Sequence, residues 1–460
     1  MLGSRTTPGL NALRGFSNVH TSRGFSNVST HRGYATVSST LPPSAPTARH
    51  HKAVVIGAGS AGLNVCHQLL RSGRFAQDDI AVVDPAEWHH YQPGWTLVGA
   101  GLKTKADMRR PLKSLIDSKL KFYNLATERL SPDENSLTLA SGTRIGYDHL
   151  IVAPGIKIDF DSIKGLSEAL ANPDSNVAST YSYQYCDQVF TKLSRFRQGT
   201  AIFTHPAGVV KCAGAPQKIM WLGLDKWKQA GLYSHEKSSS INITFATGMP
   251  VMFGVPKYSK KLDELREARG VEGLFSHDLL SIDGNTATFA QAGGKGEVKK
   301  PFDFLHVVPK MGPHAFVRNS PLANEAGFTD VNDQTTQHTK YANVWGLGDS
   351  SSLPTSKTAA AISAQAPVLV QNLLRAMDGK EVQAEYDGYT SCPLLTEYGK
   401  VMLAEFTYGG KPKETFSFLG IDQAVPRRAF YYLKKDFFPW VYFQSMVKGT
   451  WGGPKGWLNN

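Results

Sequence analysis

Four cysteines and one glycine run carry most of the chemistry this sequence can offer: Cys66, Cys186, Cys212, Cys392 and Gly57-Ala58-Gly59-Ser60-Ala61-Gly62. A cysteine works as a nucleophile or redox centre only as its thiolate, so neighbouring cations matter. Cys212 has Lys211 before it and Lys218 shortly after it, in Lys211-Cys212-Ala213-Gly214-Ala215-Pro216-Gln217-Lys218. Cys66 falls on the helix after the glycine run and Cys186 near a helix start, where small buried cysteines are ordinary. Cys392 reads as a loop residue, because Pro393 disfavours helix around it. Spacing alone does not say which thiol Cys212 meets, and Cys392 is 180 residues away.

The elements that must position these residues are legible. A short apolar strand, His51–Ile56, runs directly into the glycine run, and a helix over Leu63–Leu70 follows. Strand, tight turn and helix are the context that G-x-G-x-x-G requires. Gly57 permits the turn, Gly59 lets backbone approach a pyrophosphate, and Gly62 lets the helix pack close, with Ser60 and Ala61 at its phosphate-facing start. A second strand, Ile80–Val83, ends in Asp84, placed to accept hydrogen bonds from ribose hydroxyls. A dinucleotide-binding half follows from these parts in register.

Two later segments, Tyr147–Gly155 and Asn343–Asp349, are apolar strands ending in Ala153-Pro154-Gly155 and Gly348-Asp349. With the glycine run they resemble the FAD-binding motifs of the two-dinucleotide-binding-domain flavoproteins, departing at Pro154 where threonine is usual. That resemblance implies that Asp349 holds the ribityl chain. It also implies that Lys357, opening a helix with Thr358, faces the flavin and stabilises its reduced, negative form; the alternative is a solvated loop lysine. Members that use a nicotinamide carry a second glycine motif mid-chain. Here the strand Thr200–Thr204 leads into His205–Pro216 and a helix over Gln217–Gln229 with no such motif, and the strand Ile241–Ala246 ends without an acid. This argues against an NADH dehydrogenase.

Four longer strings, Tyr91–Gly101, Lys211–Lys218, Leu353–Thr358 and Tyr386–Leu394, resemble the mitochondrial sulfide:quinone oxidoreductases, and the similarity runs from about His51 to Pro454. The resemblance implies that Cys212 and Cys392 are the redox pair, and that Gln92 and Thr127 join the FAD contacts. No third cysteine matches the covalent flavin tether of some bacterial relatives, so FAD is expected to be non-covalent. It implies further that hydrosulfide attacks the pair and that ubiquinone takes the electrons; by analogy with flavin disulfide enzymes, Cys392 is assigned as the persulfide carrier and Cys212 as the flavin-facing thiolate. Glutathione, sulfite or cyanide would take the sulfur. The rivals are a type II NADH:quinone oxidoreductase, a flavocytochrome-type sulfide dehydrogenase and a non-catalytic FAD-binding protein.

Charge and composition settle the setting. The 460 residues hold 50 Lys+Arg against 38 Asp+Glu and are 41% hydrophobic, which excludes a disordered chain, and four cysteines exclude a disulfide scaffold. No acid precedes Asp78, and residues 1–34 carry Arg5, Arg14, Arg23 and Arg32 in a Ser-rich, thrice-repeated stretch. That is the pattern of a mitochondrial transit peptide, with Ala35 as the expected mature start. The net +12 less these four leaves +8. The last 31 residues hold ten of the 48 aromatics beside Lys434, Lys435, Lys448 and Lys455, without the ~18 apolar residues needed to span a bilayer. They fit a helical segment lying on an inner-membrane surface, and nothing recommends nucleic acid. The expected architecture is α/β: two Rossmann-like domains and a C-terminal membrane-associated helical segment. The bounds are a transit peptide (1–34), a linker (35–49), an FAD domain in two parts (50–165 and 301–380), a second Rossmann-like domain (166–300) and the tail (381–460).

Overall fold

The computed structural model describes residues 49–236 and 238–453. The transit peptide, the Ala35 start and Lys455 lie outside the described residues. Strand Arg49–Ile56 pairs in parallel with Ile80–Val83 on one side and with Arg144–Val152 on the other. The far edge of Arg144–Val152 is shared. Its first half takes the antiparallel strand Ser136–Leu139, and its second half takes Val344–Gly346 in parallel. Lys121–Tyr123 and Thr127–Ser131 complete a seven-stranded sheet. Its central strands are buried on both faces, which is why Ile80–Val83 is an unbroken apolar run rather than an alternating one. Helix Ser60–Arg71 lays Leu63, Cys66 and Leu69 on this sheet beside Leu369 and Leu373 of helix Ala359–Met377. Each such leucine contributes about 1.5–3 kcal/mol.

A second, five-stranded parallel sheet runs Val177–Ala178, Phe304–His306, Gly199–His205, Ile241–Thr247, Glu272–Phe275. Helix Ala215–Gln229 connects Gly199–His205 to Ile241–Thr247 and buries Ile219, Met220, Trp221 and Leu224. Against it packs a hairpin, Thr390–Glu397 with Lys400–Phe406, through Leu394, Met402 and Ala404. Cys392 is therefore a strand residue, not the loop residue expected from Pro393. In a two-stranded ribbon both strands are edges, and a proline missing its N–H is tolerated there.

The aromatic tail is helical, with one-turn π segments at Leu433–Phe437 and Tyr442–Met446. Phe430 and Tyr431 enter one core, and Tyr442, Phe443, Met446 and Val447 enter the core of the first helix. Tyr432 and Trp440 stay more than half exposed. Lys434 corrects the expectation of a lysine fringe on a membrane: it is 2% exposed and points inward. No described helix is long and apolar enough to cross a membrane.

Candidate functional site

The turn after Gly199–His205, which holds pyrophosphate in nicotinamide enzymes, here holds a cysteine. Cys212 sits at φ +55°, a left-handed conformation that costs a non-glycine residue about 1 kcal/mol or more. It is fixed from both sides: its N–H donates to the Lys357 carbonyl at 2.8 Å, and its carbonyl accepts from Ala215 N–H at 2.7 Å. The Tyr181 hydroxyl donates to the Lys211 carbonyl at 3.2 Å. The hairpin then brings Cys392 to Cys212, Sγ to Sγ 3.1 Å, both as free cysteines. Gly214 makes this approach feasible, because a Cβ there would lie 2.8 Å from Cys392 Sγ and 2.2 Å from Leu394 Cδ2.

The two thiols are electrostatically unequal. The Cys392 thiol hydrogen-bonds Cys212 and holds it well below the usual thiol range, against the cost of burial and with help from Lys218 and Lys434. Lys218 is buried and its Nζ lies 3.2 Å from Cys212 Sγ. Burial opposes its charge, yet the two sulfurs raise its pKa. Cys392 is pushed up by the same hydrogen bond and by burial. The pair accordingly holds one thiolate, on Cys212, at the N-terminus of helix Ala215–Gln229, where the helix dipole favours an anion.

One cavity connects Cys212 to the glycine run. It is lined by Gly59, Ser60, Ala61, Gln92, Ala153, Gly155, Asp349, Lys357 and Thr358, all expected from sequence. Gly57, at φ +94°, and Gly62 allow no side chain, since a Cβ would meet Ala153 O at 2.4 Å and Gly57 O at 1.8 Å. At Gly59 a Cβ would meet nothing within 4 Å. The helix Ser60–Arg71 has no side-chain cap among the described residues, so its first amides remain for a ligand. Asp84 accepts from Ala58 N–H at 2.6 Å and from Ala86 N–H at 2.8 Å, tying the glycine loop to the second strand. The Asp349 carboxyl is raised by burial and takes no hydrogen bond from any described residue. These features fit a dinucleotide with a polyol chain.

Lys357 is buried rather than solvated. Its Nζ donates to the carbonyls of Ser351 (2.8 Å) and Leu353 (3.1 Å), and burial pulls its pKa down to about 8. Thr358 caps helix Ala359–Met377 through Ala361 N–H. Gln92 accepts from Lys211 Nζ at 3.0 Å. Gly348, at φ +70°, brings its chain against Ala61, and Thr127 opens its strand with a buried hydroxyl that has no partner among the described residues. Gly57, Gly62, Asp84, Thr127, Gly348 and Cys392 do not line the cavity.

Sequence reasoning missed Gly214, Lys434 and Tyr442. Lys434 lines the cavity with Lys218 and Cys212, and its Nζ donates to the Pro93 carbonyl at 3.0 Å. Burial, and then the charge of Lys218, pushes it down to about 7. A lysine within an aromatic helix was the available signal. Phe438, Val441, Tyr442 and Met446 of the tail line the same cavity.

No family model matches the chain. The mitochondrial sulfide:quinone oxidoreductase of Schizosaccharomyces pombe is 47% identical over 428 residues, 88% of this chain and 92% of that protein. The one from Mus musculus is 40% identical over 88% of each. Among solved structures, a chain of the Tetrahymena thermophila mitochondrial ATP synthase F1Fo composite tetramer superposes with TM-score 0.77 at 23% identity, covering 88% of this chain and 97% of that one. The sulfide:quinone oxidoreductase of the hyperthermophilic bacterium Aquifex aeolicus superposes with TM-score 0.69 at 19% identity, covering 86% and 91%. The two structural likenesses speak to the fold.

Proposed function

The chain belongs to the family of mitochondrial sulfide:quinone oxidoreductases, and on that premise we propose that it oxidises hydrogen sulfide at the Cys212–Cys392 pair and reduces ubiquinone. The observation that carries this reading is the 3.1 Å approach of two sulfurs, one of which, Cys212, lines with buried Lys218 the cavity that reaches the glycine run. The cofactor would be FAD, held non-covalently by Gly59, Ser60, Ala61, Gln92, Ala153, Gly155, Asp349, Lys357 and Thr358 on the cavity wall, with Gly57, Gly62, Asp84, Thr127 and Gly348 completing the set. When bound, it supplies the two-electron acceptor of the reaction.

The working cycle starts from the oxidised pair. Hydrosulfide attacks Cys392 Sγ, the Cys212–Cys392 bond breaks, a persulfide forms on Cys392, and Cys212 leaves as a thiolate. The sulfide sulfur loses two electrons and the disulfide gains them. Cys212 is the better leaving group because the charges of Lys218 and Lys434 favour its anion. Lys218 orients and neutralises that thiolate. A small nucleophile, glutathione, sulfite or cyanide, then removes the outer sulfur and frees the Cys392 thiolate. The disulfide re-forms by giving up two electrons, which end on ubiquinone. The tail residues Phe438, Val441 and Met446 supply an apolar wall for the quinone, and exposed Tyr432 and Trp440 supply contacts to the inner-membrane surface. The Arg-rich leader and the relatives' compartment support a mitochondrial address. Substituting Cys212→Ser and Cys392→Ser tests the relay: each is expected to lower sulfide-dependent quinone reduction by about 100-fold or more, as for other covalent nucleophiles. Retained turnover in both would refute it.

A further inference from the structure

A chain of hydrogen bonds starts and ends on the glycine loop and passes through the tail. Ser60 Oγ lies 2.6 Å from the Tyr442 hydroxyl, which lies 2.7 Å from His89 Nε2, and His89 Nδ1 lies 2.9 Å from the Ala58 carbonyl. Chemistry fixes the direction of every bond. The Ala58 carbonyl only accepts, so His89 Nδ1 carries the proton. Burial holds His89 neutral, its pKa pulled down to about 4, so Nε2 accepts from the Tyr442 hydroxyl. The Tyr442 oxygen is then left to accept from the Ser60 hydroxyl. All four groups are satisfied by this one arrangement, and Ser60 is left with lone pairs, not its proton, toward the cavity.

The tail is seated on the same helix along its length. His67 Nδ1 donates to the Val447 carbonyl at 2.5 Å, and Arg71 Nε donates to the Lys448 carbonyl at 3.1 Å. Gly449 approaches so closely that a Cβ would lie 2.7 Å from Gln68 N. The segment thus grips the helix whose N-terminus would face the cofactor's phosphates.

We propose that Tyr442 and His89 form a clamp that joins the C-terminal segment to the glycine loop, so that FAD is held more tightly while the tail is seated. Tyr442 is a positioning residue here, acting through Ser60 and the loop, and the proposal rests on the flavoprotein reading above. By linkage, FAD must in turn steady the tail.

The test uses the full-length protein stripped of FAD and re-titrated, with flavin fluorescence as the readout. Tyr442→Phe keeps the ring contact with Tyr91, centroids 4.6 Å apart, while removing the hydroxyl. It is expected to weaken FAD binding about tenfold, the order expected for breaking a buried bonded chain. His89→Gln should do the same, and the double variant should be no weaker than either single one. In the wild type, FAD should slow amide exchange at residues 442–449. Wild-type FAD affinity in Tyr442→Phe, multiplying effects in the double variant, or unchanged exchange in the tail would each overturn the clamp. A wild-type protein that takes up no FAD would overturn the flavoprotein reading and the clamp with it.

Discussion

At the scale of single residues the site is a problem of charge. Cys212 is held as a thiolate by a partner thiol and a lysine 3.2 Å away, in a place where burial alone would protonate it. Replacing Lys218 with methionine should therefore raise the Cys212 pKa. Alkylation of the reduced protein as a function of pH measures this: the rise in rate should move to higher pH, and an unmoved profile would contradict the role of Lys218. Lys434 has the opposite sign. Its folded pKa is about 7 against 10.5 for a free lysine. Between those values the unfolded chain binds the extra proton, so stability climbs as pH rises through that window. Lys434→Met should reduce the climb, as followed by urea unfolding across the same range, and an unchanged slope would show that Lys434 is not the group responsible.

At the scale of elements, two pieces with no sequence proximity build the pair: the turn into helix Ala215–Gln229 and the hairpin Thr390–Phe406. Gly214 is where they touch. Gly214→Ala should force Leu394 and Cys392 away, costing about 1–3 kcal/mol as an overpacked core does, and should slow formation of the Cys212–Cys392 disulfide. Thiol titration during reoxidation would show this, and wild-type kinetics would mean the hairpin yields easily. The glycine-run half was legible in sequence because its parts are local. Strand, turn, helix, strand and Asp84 follow one another within the 34 residues from His51 to Asp84, each with its own steric signature. The hairpin was not, because Pro393 obeys a local rule that an edge strand escapes. Lys434 was misplaced for a related reason: a lysine among aromatics reads as a surface anchor until the buried thiolate it faces is known.

At the scale of the whole molecule, one cavity joins the glycine loop, Cys212 and the aromatic tail. The tail divides its labour by face. Phe430, Tyr442, Phe443, Met446 and Val447 are core residues, so deleting the segment would unfold the site as well as strip any surface contact. The outer residues test membrane docking cleanly. Tyr432→Ser with Trp440→Ser, both exposed, should weaken binding to anionic vesicles about tenfold or more while leaving the melting temperature near wild type. Undiminished vesicle binding would place the docking surface elsewhere. Four of the +12 net charges lie in residues 1–34, and three lysines, Lys218, Lys357 and Lys434, are buried at the site.

The central claim is that sulfide electrons enter through this cysteine pair. An anaerobic titration of the FAD-loaded protein with sulfide, followed by flavin absorbance, tests it most directly. The flavin should bleach with sulfide and recover on adding ubiquinone, and it should stay oxidised with NADH and in the Cys392→Ser variant. Bleaching by NADH alone, or undiminished bleaching by sulfide in Cys392→Ser, would contradict it.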